Sequence, residues 1–357
     1  MSEAAQTHVG SGLVMTVAGP IAVQQLGVTL MHEHILNDCR CWWHKPTEPE
    51  RMQLATRPVE IGMLGELRMD PFVNLENCTL DNEPLAIAEL RPVAALGGRS
   101  VVDPTCRGIG RNPQALVRIA RATGLQIVMG AGYYLESSHP PELAKMSARD
   151  VADEIVREAH EGVDGSGIKI GLIGEIGVSG DFTPEEEKSL RGAAQAQSRT
   201  QLPLMVHLPA WFRHGHRVLD VVAEEGGDVA HTVLCHMGPS WEDVAYQTSL
   251  AESGAFLEYD MIGMDFWYAD QAVQCPSDED NAKAIKGLID RGHLARLLLS
   301  QDVFLKMMLT RYGGFGYAYI QRHFLPRLRR HGVGEAEIEA LMVDNPRRVF
   351  FLGGSDG

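Results

Sequence analysis

The sequence predicts a (β/α)8 TIM barrel as one domain over residues 1–357, with a long loop after the first strand and a closing helix at the C-terminus. Three observations carry this expectation. Eight short apolar runs recur along the chain, helix-capping signals fall between them, and no composition shift or Gly-rich phosphate fingerprint argues for two domains or a dinucleotide fold.

After an N-terminal segment containing LVMTVAG, the runs are VTLMHEHI, SVVDPT, LQIVMGAGYY, IKIGLIGEIG, PLMVHL, HTVLCHMG, AFLEYDMIG and LARLLLSQDVF, placing barrel strands from about 28 to 304. Runs that are apolar on both faces and too short to cross a membrane read as parallel strands covered by helices. Asn112 followed by Pro113 predicts one helix start; Ser147 with Asp150, Thr183 with Glu186, Ser240 with Asp243 and Ser277 with Asp280 predict others by capping-box spacing. The one long insertion runs from Cys39 to about Glu83 and would lie over the barrel mouth. The last segment, EAEIEALMVDNPRRVFFL, reads as the closing helix, with Asn345 and Pro346 near its end.

Lys and Arg number 32 against 47 Asp and Glu, a net charge of -15, and no basic stripe stands out. Nucleic acid is therefore not an expected partner. No run of ~18 apolar residues could span a bilayer and the start lacks a signal-peptide pattern, so the expectation is a cytoplasmic protein with no membrane association. Six scattered cysteines do not form a disulfide framework; Cys39 and Cys41 lack the second pair of a structural zinc site and read as loop cysteines.

Chemistry on a barrel gathers at the C-terminal strand ends. The polar residues that interrupt the runs fall there: His32 and His34, Asp103, Glu175, His207, His236, Asp260 and Asp302. Taken singly, each could be a hydrogen-bonded core residue or half of an ion pair. Together they place four imidazoles and several carboxylates at one rim. His214 and His216 repeat the HxH pattern outside an apolar run and read as an exposed loop. Four histidines with two carboxylates exceed one tetrahedral zinc with an open position, but suit two cations about 3.5 to 4 Å apart bridged by a carboxylate and a solvent hydroxide. Nitrogen and oxygen ligands fit Zn, and also Mn, Fe, Co or Ni.

GVTLMHEHI, DPTCRGIGRNP, GLIGEIG, MVHLPA, VLCHMG, SQDVF and RYGGFGYAYIQRHFLPRLRRHGV, in this order, resemble the phosphotriesterase-like branch of the amidohydrolase superfamily. The resemblance implies that His32, His34 and Asp302 hold the more buried metal and His207 and His236 the more exposed one. Glu175 then stands where many members carry a carboxylated lysine. Lys169 lies six residues earlier, about 20 Å along an extended strand, and belongs at the barrel's bottom.

The resemblance further implies a metal-bridging hydroxide, with Asp302 ligating and taking the proton and Asp260 relaying it or holding the substrate. Tyr134 resembles the tyrosine that lactone-hydrolysing members place beside the metals, although Met261 stands where they often have arginine. Lys306 and Arg311 are candidates to meet a substrate anion. Trp42, Trp43, Phe266, Trp267 and Tyr268 are candidates to line an apolar pocket. The expected function is hydrolysis of a small-molecule carboxylic ester, lactone or amide; phosphotriester hydrolysis and a non-catalytic small-molecule binder are the alternatives. Relatives suggest a homodimer.

Overall fold

Residues 12–351 are described by a computed structural model. Eight parallel strands alternate with helices: β1 (Val28–Leu30), β2 (Gly98–Asp103), β3 (Gln126–Met129), β4 (Ile173–Gly177), β5 (Leu204–His207), β6 (Thr232–Leu234), β7 (Phe256–Tyr259) and β8 (Leu297–Leu299). They pair as two arcs, β1-β2-β3 and β4-β5-β6-β7-β8. Backbone bonds across the two seams complete the barrel. Gly174 N donates to Ala131 O at 2.6 Å on one side, and on the other Asp302 N donates to His32 O at 3.1 Å and His34 N to Val303 O at 3.2 Å.

The two-residue strand period sorts the side chains. Val102, Met205 and Leu298 pack in the barrel interior, while Val101, Leu204, Val206, Leu297 and Leu299 face the helices. Both faces are apolar, as a helix-covered parallel sheet requires. Each fully buried aliphatic side chain contributes about 1.5 to 3 kcal/mol.

The capping signals at Asn112, Ser147, Thr183 and Ser277 open helices at Pro113, Ala148, Pro184 and Asp278. The signal at Ser240 does not. Asp243 caps the helix Val244–Glu252, accepting from Tyr246 N, whereas Ser240 closes a preceding 3-10 turn and donates to Met237 O. A helical stretch runs from Glu335 to Phe350 with a π-type segment at Ala340–Asp344. Pro346 lies just after that segment, in the first turn of the α-helical piece Asn345–Phe350. Val349 and Phe350 join the interior cluster and close the barrel's lower end.

The insertion after β1 leaves and returns through an antiparallel pair, Asn37–Asp38 against Thr79–Leu80, extended by Cys39 N donating to Cys78 O at 2.8 Å. Its body is 3-10 turns and one short helix, Leu64–Met69. No helix among the described residues is long and apolar enough to cross a membrane.

Candidate metal centre

Every barrel strand that ends in a polar residue at the mouth delivers it by the same local logic. His207 lies two residues beyond the inward Met205 on β5, and Asp260 four beyond the inward Phe256 on β7. His236 and Asp302 need more: both adopt left-handed backbone, φ 61 and φ 48, at a cost of about 1 to 2 kcal/mol each. Hydrogen bonds hold them there, His236 N donating to Asp260 and Asp302 N to His32 O.

Six side chains converge. His32, His34 and Asp302 offer ligand atoms within 4.8 Å of one another, and so do Glu175, His207 and His236. Glu175 touches both groups: Oε1 lies 3.2 Å from His34 Nε2, and Oε2 lies 3.5 Å from His32 Nε2 and 3.3 Å from His207 Nδ1. Asp302 Oδ1 is 3.3 Å from His34 Nε2, and His236 Nε2 is 2.7 Å from His207 Nδ1. Three of these buried atoms, His32 Nε2, Glu175 Oε2 and Asp302 Oδ1, have no hydrogen-bond partner. Orphaned buried polar atoms cost stability unless an ion satisfies them together.

Behind the cluster stand residues that aim it. Asp260 receives His236 Nδ1 at 3.0 Å and His32 Nδ1 at 3.1 Å, and Thr105 Oγ1 lies 2.7 Å from His34 Nδ1. Each contact leaves Nε2 free to face the centre. Glu33, on the opposite side of its strand, accepts from Ser300 Oγ, Gln301 N, Gln301 Nε2 and Val303 N, which fixes the loop carrying Asp302.

Electrostatics follow from this crowding. Burial pushes the Asp302 carboxyl up to about 6, against the pull of His32, His34 and His236. Burial alone would lower His236, but Asp260 and Glu175 raise it to about 10; Glu175, Asp302 and Asp260 likewise carry His32 well above the usual imidazole range. Burial would raise Glu175, yet His32, His207 and His236 hold it well below its ordinary value.

His34, Glu175, His207, His236 and Asp302 of the cluster form the floor of a cavity of about 720 Å³, while His32 is fully buried outside its lining. Trp42, Phe72, Tyr134, Trp211, Tyr268, Met261 and Phe304 wall it, and none of its lining residues is Lys or Arg. Trp42 Nε1 donates to Tyr134 OH at 3.1 Å, which lies 3.4 Å from His207 Nδ1.

Comparison with known proteins finds the same arrangement of chain over almost its whole length. Residues 12–350 match the phosphotriesterase family. The chain belongs to the phosphotriesterase family. A phosphotriesterase-related protein of Nematostella vectensis is 36% identical over 343 residues, 94% of this chain and 98% of its own. An N-acetyltaurine hydrolase of Danio rerio is 35% identical over 340 residues, 94% of this chain and 97% of its own. The crystal structure of a resiniferatoxin-binding protein from Rhodobacter sphaeroides is 67% identical, covers 98% of both chains and superposes with a TM-score of 0.96.

As a phosphotriesterase-family member the protein is a metal-dependent hydrolase. Its donor set fits a metal, since the three orphaned atoms face one another among neutralisable imidazoles and carboxylates. Three sequence expectations are corrected by the geometry. Lys306 is no substrate contact: its buried ammonium lies 2.8 Å from Glu76 Oε1 and 3.6 Å from Asp81 Oδ1, tying the insertion to the loop after β8, and Arg311 also lies outside the lining. Trp267 stays outside the cavity because side chains alternate along its short strand, and Tyr268 enters instead. Asp260 is fully buried and absent from the lining, so it cannot hold a substrate.

Asp103 likewise serves the backbone, accepting from Ile35 N and Thr105 N. His214 and His216 pair with Gly180 O and Ser249 Oγ, away from the floor. Thr105, Phe72, Trp211 and Phe304 carried no local signal, because loop residues gain their direction only from the assembled mouth.

Proposed function

We propose that this protein hydrolyses an uncharged carboxylic ester, lactone or amide with a bulky apolar or aromatic portion, using two divalent ions, most simply Zn. The observation that carries the reading is the position of six convergent ligands at the floor of an aromatic cavity lined by no Lys or Arg. Ions held by His32, His34 and Asp302 and by His207 and His236, with Glu175 between them, would supply an activated solvent nucleophile and Lewis acidity toward the carbonyl oxygen.

The chain's own residues do the rest. Asp302 reaches the cavity from the floor and is placed to take a proton from the attacking solvent and return it to the leaving group. Asp260 positions His32 and His236, and its bond to His236 also places it to relay a proton from behind the floor. Tyr134 OH, beside His207, offers a hydrogen bond to the substrate near the carbonyl. The aromatic walls bind the acyl side and exclude water.

N-acetyltaurine carries a sulfonate, for which this cavity lining holds no Lys or Arg; that substrate is therefore not carried over from the relatives named for it. The 67% identical protein is named for binding resiniferatoxin, and the aromatic walls of this cavity support a ligand with a bulky apolar portion here.

Elemental analysis and a panel of aryl esters, aromatic lactones, N-acyl amides and phosphotriesters test the proposal. Near two metal equivalents with turnover of the carboxylic substrates supports it. Preferential turnover of the phosphotriesters would replace the substrate class, and metal-free protein that binds without turnover would replace the enzyme by a binder.

A further inference from the structure

β7 turns every second side chain into the barrel: Phe256, then Glu258, then Asp260 just past its end. The interior of such a barrel is ordinarily filled by bulky apolar side chains, and Phe256, Met205, Leu298 and Cys235 fill it here. Glu258 is the exception. It is fully buried, pairs with no Lys or Arg among the described residues, and its Oε1 has no hydrogen-bond partner. Its Oε2 has two neighbours: the Cys235 thiol donates to it at 3.6 Å, and His32 Nδ1 lies 3.7 Å away.

As a packing element this seat is unfavourable. A buried carboxyl with an unsatisfied oxygen destabilises a fold, and an apolar side chain of similar volume in its place is commonly neutral or stabilising. A thiol is too weak a donor to offset that. What the seat does provide is a place directly beneath the metal centre, where ligand-type atoms of Glu258, Cys235, Asp260 and His32 all lie within 4.8 Å of one another.

His32 is the imidazole that such a neighbour serves. Asp260 is shared, with His32 Nδ1 on one oxygen and His236 Nδ1 on the other, and both oxygens also accept from His236 N. Glu258 faces His32 alone of the four converging histidines. It stands on the Nδ1 side of the ring, leaving Nε2 toward the centre, 3.5 Å from Glu175 Oε2 and 3.6 Å from Asp302 Oδ1. A carboxylate on that side fixes the ring and makes Nε2 a stronger metal donor. We propose that Glu258 is a positioning residue for the ion held by His32, His34 and Asp302, orienting and polarising His32 from beneath the floor while destabilising the fold. The inference rests on the metal-centre reading above and singles out one of its two ions.

Zinc titration of the metal-free protein against a chromophoric chelator tests it, beside thermal melting of the same metal-free samples. The H34A and H207A proteins assign the two binding steps. E258Q and E258M should weaken the step lost in H34A about tenfold, leave the step lost in H207A unchanged, and melt no lower than the unaltered protein when metal-free. E258D keeps the charge with a shorter reach and should stay within about threefold of the unaltered affinity. Full zinc affinity in E258Q and E258M, an equal loss at both steps, or E258D as weak as E258Q overturns the inference. So does a fall in metal-free melting temperature that accompanies the lost affinity, since Glu258 would then be merely structural. One zinc step instead of two in the unaltered protein defeats only the two-ion reading, and the E258Q comparison then decides on the step that remains; no zinc binding by the unaltered protein overturns both.

Discussion

Asp260 lies 3.0 Å from His236 Nδ1 through one oxygen and 3.1 Å from His32 Nδ1 through the other. One fully buried carboxylate thus orients an imidazole from each half of the cluster, and its own acidity records the role: burial would raise it, but His236 and His32 hold it well below the ordinary range.

Replacing Asp260 by Asn keeps the volume but removes one of two equivalent acceptors. Metal affinity should fall about 10- to 100-fold, with activity partly restored by excess metal. Metal content after dialysis against a weak chelator checks this, and full retention in D260N would deny the positioning role.

Glu175 is the residue in contact with both ligand groups. The E175Q protein should lose most of its bound metal and its turnover, while its circular dichroism stays that of a folded barrel. Undiminished activity in E175Q would end the idea that this carboxylate spans the centre.

Metal binding should release protons at neutral pH. In the metal-free site His236 is raised to about 10 and His32 well above the usual range, so both carry protons that their Nε2 atoms must give up to ligate. The sign is that acidification weakens metal binding. Calorimetry at pH ~7 in buffers of different ionisation heat should show release of at least about one proton per chain; uptake would contradict the charge state described.

Lys306 is expected to matter for stability rather than for substrate charge. Its ammonium is buried on Glu76, whose other oxygen accepts from Val59 N in the insertion. The K306M protein should lose about 1 kcal/mol of stability, because the buried ammonium's bond to the partly exposed Glu76 is removed. Thermal melting measures this, and a loss of affinity for anionic probes with no loss of stability would restore the substrate-contact reading.

The positions of His32, His34, Glu175, His207, His236 and Asp302 were readable because strands are local objects. A two-residue period and an apolar run locate the strand end, and barrel geometry then brings equivalent ends together. The same logic put Asp260 at its strand end but could not give its depth, and here its carboxylate is bonded to His32 and His236 rather than lining the cavity.

The mouth was decided only by the tertiary structure. Phe72, Trp211, Tyr268 and Phe304 come from four separate loops, and Lys306 turns toward Glu76, 230 residues away in the chain. Loop side chains take their direction from whichever distant segment packs against them, and no local periodicity encodes that choice. The sequence by itself determined the strands and the identity of the residues at their ends; long-range packing alone decided which loop side chains wall the cavity.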